Sequence, residues 1–155
     1  MSSLRRRSAR ERSQTITRVV LGSFMTFAGI SHMTFARDEF QAQVPDWMPV
    51  DHDLVVLGSG VVEISLGAAM LALPKHRRVV GIALATFYVL IFPGNIAQYV
   101  EGTDAFGLDT DGKRLARLFG QPLLIAGALW ASPVAVGESH RETTSEASVR
   151  EIWAS

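Results

Sequence analysis

Between Asp53 and Lys75 the chain carries a single charged side chain, Glu63. A carboxyl group in the middle of an apolar, helix-length segment costs about 2.5–3.5 kcal/mol on membrane-insertion scales. Such a group therefore points to function, either holding a ligand that donates hydrogen bonds or taking up and releasing a proton. Four other polar side chains interrupt apolar segments in the same way: His32, Asn95, Gln98 and Gln121. An imidazole exchanges protons near neutrality, and an amide both donates and accepts hydrogen bonds. These five residues form the candidate ligand or proton site. For each amide a purely structural bond between helices, contributing about 0.6–2 kcal/mol, competes with that role. For His32, a contact with Glu63 that only locks two helices competes equally.

Much chemistry is excluded. The chain has no cysteine, which removes disulfides, thiolate metal sites, iron–sulfur clusters and dithiol redox motifs. His32 is the only histidine inside an apolar run, so a bis-histidine haem within one chain is not expected. No nucleophile with a partner base, metal-ligand constellation or phosphate-binding loop is evident. Asp109-Thr110-Asp111-Gly112 has the beginning of a calcium loop but neither its spacing nor its closing glutamate, and reads as a solvated turn.

The elements that must position these groups are four runs, residues 19–36, 54–73, 79–100 and 118–137, free of charge except for Glu63. Each is close to the ~20 residues an α-helix needs to cross ~30 Å of hydrocarbon. A helix on the surface of a soluble bundle would carry charge along its outer face, whereas these runs are apolar all round. The hydrophobic fraction of 48% and the formal net charge of zero conceal this segregation. The expected fold is all-α: a polytopic membrane protein with four transmembrane helices in an antiparallel bundle. Helices of about 16–36, 54–73, 79–100 and 116–137 make a domain over 16–137. A basic cytoplasmic arm, 1–15, precedes it and a polar cytoplasmic tail, 138–155, follows.

The arm and first helix carry Arg5, Arg6, Arg7, Arg10, Arg12 and Arg18 against Glu11 alone, which suits flexible attachment to anionic lipid headgroups. No aromatic or fold signature accompanies these arginines, so nucleic acid is not an expected partner. A signal peptide is the rival reading of the first run, but that run is long enough to span. In the first connection, Pro45 and Pro49 preclude a continuous helix, and Phe40 and Trp47 suit a headgroup boundary. Lys75, His76, Arg77 and Arg78 form a tight basic turn. Counting Lys and Arg, the arm, this turn, Arg141 and Arg150 lie on one side, against Arg37, Lys113, Arg114 and Arg117 on the other. The positive-inside bias then places both termini in the cytoplasm of a plasma (inner) membrane.

At ~1.5 Å of rise per residue, His32, Asn95, Gln98 and Gln121 fall within about 7 Å of the outer helix ends, and Glu63 lies roughly 14 Å down. Each helix thus brings a polar group to the outer half. Gly60, Glu63 and Gly67 share one face, as do Gly22, Gly29 and His32. Small residues let membrane helices approach closely, so Glu63 is expected to face the bundle and not the lipid, with Gly60 and Gly67 lining a helix contact. Pro93 frees the carbonyl of Val89 just before Asn95.

Several segments together resemble the DoxX family of small membrane proteins. Gly29-Ile30-Ser31-His32 is similar to its Gly-x-x-His-Phe segment, with Met33 in place of Phe. Val44-Pro45, Met48-Pro49 and Ser59-Gly60-Val61-Val62-Glu63 resemble its loop and second helix, and Leu73-Pro74 with Arg77-Arg78 its turn. Phe92-Pro93-Gly94-Asn95-Ile96 resembles its Phe-Pro-x-Asn-Ile motif. Arg117-Leu118, Gln121 and Leu124-Ile125 resemble its fourth helix, although Pro122 follows Gln121 where relatives place proline before it. The resemblance spans roughly residues 16–136 and implies a four-helix membrane bundle. It further implies a non-catalytic subunit or accessory of a membrane redox assembly, quinone-linked or concerned with oxidative stress. Its partners would be the lipid bilayer, redox proteins in or on the membrane, and further copies of itself; quinone is the one cofactor it suggests. Two alternatives stay open. One is a small proton-coupled transporter using Glu63, although four-helix drug exporters carry their glutamate in the first helix. The other is a membrane enzyme using Glu63 and His32 as an acid–base pair on a lipid-soluble substrate.

Overall fold

The computed structural model describes residues 2–132, and the helical segments lie where the apolar runs predict them. The chain is all-α, with helices α1 (Ser2–Met33), α2 (Arg37–Gln41), α3 (His52–Ala72), α4 (Arg77–Glu101) and α5 (Asp111–Trp130). Local chemistry sets the boundaries. Asp51 accepts a hydrogen bond from Leu54 N and opens α3, and Thr110 accepts from Lys113 N and opens α5. Gly102, at φ 68°, takes the left-handed conformation that closes α4. Pro74 ends α3 and begins a 3₁₀ turn, Pro74–His76, which reverses the chain directly into α4. Pro93 and Pro122 lie inside helices that continue through them.

Two findings differ from the sequence expectation. The basic arm is not a separate flexible segment, because its backbone continues as the first turns of α1. Trp130 of α5 holds it: Arg10 lies over the indole at 5.3 Å and the indole N–H donates to Ser13 Oγ at 3.3 Å. The helical content therefore begins well before the expected residue 16. The first connection also contains a helix, α2, between α1 and the two prolines. The expected tail, 138–155, and the last residues of the expected fourth helix lie outside the described residues.

The four long helices pack as two antiparallel pairs, α1 with α3 and α4 with α5, and the pairs meet along a looser seam. The α1–α3 contact is a glycine interface. A Cβ on Gly29 would meet Gly60 O at 2.5 Å, and one on Gly67 would meet Gly22 O at 2.7 Å, so the backbones touch where a methyl group would not fit. The buried positions of α3, Val56, Gly60, Glu63, Gly67 and Met70, form one stripe facing this contact. Arg18 of α1 donates to the carbonyls of Met70 and Leu71, which the end of α3 leaves without helical donors. A dry core of Leu21, Met25, Met70, Leu84, Tyr88 and Ala128 with their neighbours fills the half of the bundle nearest the Pro74–His76 turn. The half nearest the two long loops is packed differently and holds the cavities described below.

Two described segments, His52–Ala72 and Pro74–Glu101, are long and apolar enough to cross a membrane. The other two long helices carry charge within their described length: α1 has its arginines, and α5 has Lys113, Arg114 and Arg117 in its first turns. All four expose large apolar side chains, among them Phe27 at 61%, Val61 at 53%, Leu90 at 71% and Leu123 at 73%.

Candidate functional site

Glu63 is 95% buried, on the glycine-flanked stripe of α3. Gly60 lies one turn before it and Gly67 one turn after; both let α1 approach, and that approach brings His32 alongside. His32 Nδ1 is 3.1 Å from Glu63 Oε2 and 2.8 Å from the carbonyl of Ala28. A carbonyl only accepts, so Nδ1 carries a hydrogen and donates it to Ala28 O. The Glu63 oxygen lies out of line with that hydrogen and has no hydrogen-bond donor among the described residues. The pair is therefore a close juxtaposition and not a completed hydrogen bond.

Around this pair the loops build a cover. Phe40 of α2 stacks on His32, ring centroids 3.3 Å apart and 17° from parallel. Phe106 meets Phe40 edge-on at 4.5 Å, and the Arg117 guanidinium lies 5.7 Å from the Phe106 ring. Phe106 has φ 56°, a left-handed backbone that costs a non-glycine residue about 1 kcal/mol or more. Its ring contacts and the bond from its N–H to Glu39 Oε2, at 2.5 Å, hold it there. Arg37, bonded to Asp53 through two nitrogens, and Gln41, which donates to Asp53 Oδ1 at 2.6 Å, fasten α2 to the start of α3. The Arg37 bond, with the Gln41 bond beside it, holds the Asp53 carboxyl below its ordinary value.

Two cavities flank this arrangement. The larger, about 610 Å³, lies between α1 and α5 and is bordered by Glu63, His32, Tyr88, Asn95, Arg117 and Gln121 with apolar neighbours. The smaller, about 340 Å³, lies under the 43–48 loop between α3 and α4. Glu63, His32, Phe40, Asn95 and Arg117 border both, so they form the wall between them. The larger is within the range of small-molecule sites. Its rim, Phe24, Phe27 and Leu123, is exposed on the outer surface of the bundle.

Four of the five sequence candidates, His32, Glu63, Asn95 and Gln121, border the larger cavity. Asn95 and Gln121 are occupied with each other: Asn95 Nδ2 donates to Gln121 Oε1 at 3.0 Å and Gln121 Nε2 to the Tyr88 carbonyl at 2.7 Å. They clamp α4 to α5 one residue from the carbonyl that Pro93 leaves without a donor. Gln98 is elsewhere: it donates to Thr103 O at 3.4 Å, and its own carbonyl accepts from Thr103 N at the end of α4. It closes a helix and borders neither cavity. Phe40, expected at a headgroup boundary, is turned onto His32, whereas Trp47 is 65% exposed. In the loop before α5, Asp109 is paired with Lys113 at 2.7 Å, and Asp111 with Arg114 at 2.7 Å. Asp104 also pairs with Arg114. No group of three or more His, Asp or Glu side chains converges among the described residues.

Three participants escaped the sequence reading. Arg117 counted there only as a charge and as part of a motif. It borders both cavities, donates to Gln43 Oε1 at 2.8 Å and has no ion-pair partner among the described residues. Its place one turn before Gln121 on α5 was the available signal. Tyr88 is 2% exposed, and its hydroxyl has no partner among the described residues. It lies two turns before Asn95 on the same face of α4. Phe106, in a loop, carried no periodic signal at all.

The class these features define is an all-helical protein with a polar cleft set into an apolar bundle. The chain belongs to the family described as a domain of unknown function, DUF8561, whose model matches residues 21–132. No curated protein and no solved structure matches it.

Proposed function

We propose that the protein is a four-span membrane protein of the DoxX type that holds a lipid-soluble ligand at Glu63. It would serve as a non-catalytic accessory of a membrane redox assembly, with both termini in the cytoplasm. The observation that carries this reading is the buried, hydrogen-bond-deficient carboxyl of Glu63 at the edge of a cavity whose rim opens on an apolar outer surface. A soluble protein would cover such a surface or surround it with charge, whereas lipid matches it. Arg18 on α1 and the basic turn at Lys75–Arg78 lie at one end of the bundle. Arg37, Lys113 and Arg117 lie at the other, which suits helices bounded by two headgroup layers. The burial of Gly22 and Gly29 against α3 favours a retained first helix over a cleaved one. A bound quinone in the cavity is compatible with its size and aromatic lining.

Glu63 borders both cavities, and this one feature also favours the transporter alternative, since a carboxyl reachable from two sides can load and unload. Purification in mild detergent with mass spectrometry of bound lipids and partners separates the readings. A co-purifying oxidoreductase supports the accessory, and a bound quinone without such a partner supports the membrane enzyme. A homodimer that releases protons on substrate addition supports the transporter. A monomer that retains neither lipid-soluble ligand nor partner would overturn the proposal.

A further inference from the structure

The first turns of α1 form a cationic helix with little packed against them. Among the described side chains from Arg6 to Ile16, only Gln14 is buried. Trp130 touches this arm on one side, at Arg10 and Ser13. Arg6 and Arg10 carry like charge one turn apart, which works against a helix, and so short an extension is marginal in water without packing. Glu11 is its one acidic residue. The arm therefore calls for a partner of opposite charge, and the open face of α1 shows what pattern that partner must match. Arg5, Arg12, Ile16 and Val20 take register positions on one side of the helix. Gln14, Leu21 and Met25 take positions on the other side and are buried. Ile16 is 63% exposed and Val20 60%.

A segment of this chain carries the matching pattern. Because Trp130 lies beside Arg10 and Ser13, the residues that follow Ser132 begin next to the arm. They include Glu138, Glu142 and Glu146, each four apart, and then Val149 and Trp153, also four apart. At helical spacing these five share a face, with Arg141 and Arg150 to either side of it. Val149 follows Glu138 by eleven residues, as Ile16 follows Arg5. Laid side by side in the same direction, the two patterns set carboxylates against arginines, and Val149 and Trp153 against Ile16 and Val20. The link from Ser132 to Glu138 can reach up to about 20 Å, whereas Arg5 lies only about 8 Å along the helix from Arg10. Pro133 and Gly137 within that link suit a change of direction.

We propose that residues 138–153 dock along the open face of α1, parallel to it, and neutralise the arm. The tether keeps the segment at high local concentration beside its site, so contacts that are individually weak suffice. This docking is independent of the ligand site at Glu63.

Disulfide scanning of the full chain tests it, and the absence of native cysteine leaves no background. Ala9→Cys is combined with a single cysteine at each position from 138 to 147 in turn, in nanodiscs containing phosphatidylglycerol, and the rate of disulfide formation is read on gels. Glu142→Cys should link to Ala9→Cys at least about tenfold faster than His140→Cys, which lies on the far side of the docked helix, beyond the ~7 Å Cα separation that a disulfide tolerates. Arg6→Glu with Arg12→Glu should flatten the profile, and adding Glu138→Lys with Glu146→Lys should restore the peak. A profile flat across all positions in the otherwise unaltered chain would overturn the docking and leave the arginines to the anionic headgroups. A peak that survives Arg6→Glu with Arg12→Glu would overturn its electrostatic basis. Disulfides formed between copies instead of within one chain would assign the segment to a second copy and overturn the intramolecular contact.

Discussion

Glu63 is retained at a cost to the fold. Its carboxyl is desolvated, and His32, the nearest polar group, has its only Nδ1 hydrogen committed to its own helix. Replacing a buried carboxyl that lacks a hydrogen-bond donor by a neutral side chain of nearly the same shape is neutral or stabilising. Glu63→Gln is therefore expected to insert, fold and melt at or above the wild-type temperature in detergent, while failing to support whatever phenotype the intact gene supports. Full complementation by Glu63→Gln would reduce Glu63 to a structural hydrogen-bonding group and the protein to a scaffold. His32 depends on its neighbour from α2. Phe40→Ala removes the ring stacked on the imidazole and should free its rotamer, visible as a broadened or shifted His32 side-chain NMR signal without loss of the helical fold.

At the scale of elements, α1 and α3 are joined by glycines and α2 to α3 by an ion pair, and the two contacts respond to different challenges. Gly60→Leu or Gly67→Leu would force side-chain atoms into the backbone of α1. Such overpacking costs about 1–3 kcal/mol, and either change should lower the detergent melting temperature more than Leu66→Ala does. Equal effects would mean that this face of α3 looks outward. The Arg37–Asp53 contact should respond to acid. The Asp53 carboxyl lies below its ordinary value in the folded protein because Arg37 bonds it. Its contribution to stability is thus fully present above the unfolded value of about 3.9 and is lost as pH falls through the lower folded value. Below about pH 4, amide protection in α2 and the first turn of α3 should fall relative to the rest of the bundle. In Asp53→Asn that pH-dependent difference should be absent.

The whole molecule reads as two helix pairs, tightly packed at the basic turn and parted by cavities beneath the loops. If its apolar exterior faces lipid across four spans, reporter fusions after Asp109 and after Ser139 should report opposite sides of the membrane. Two fusions reporting the same side would refute the four-span topology. A mature N-terminus near Arg37 would show instead that the first apolar run is removed.

Helix content, the tight turn between the second and third apolar runs and the inward face of Glu63 were legible in the sequence, because each depends on local signals. Apolar runs of set length, capping residues, prolines and a glycine spacing of seven act within a turn or two of themselves. A contact between His32 and Glu63 was among the expectations, since each shares a helix face with glycines, and the glycine contact of α1 with α3 brings it about. What the tertiary structure alone decided is which polar groups satisfy one another and which are left over. Gln98 looked like Asn95 and Gln121 in sequence, yet a turn at the end of α4 consumes it, while they bond across the α4–α5 contact. Tyr88 drew no notice in the sequence and Arg117 counted as a charge and part of a motif, until packing buried the hydroxyl of one and set the guanidinium of the other beside the cavity. A hydrogen bond is settled by tenths of an ångström between elements far apart in the chain, and no spacing along a single helix contains that information.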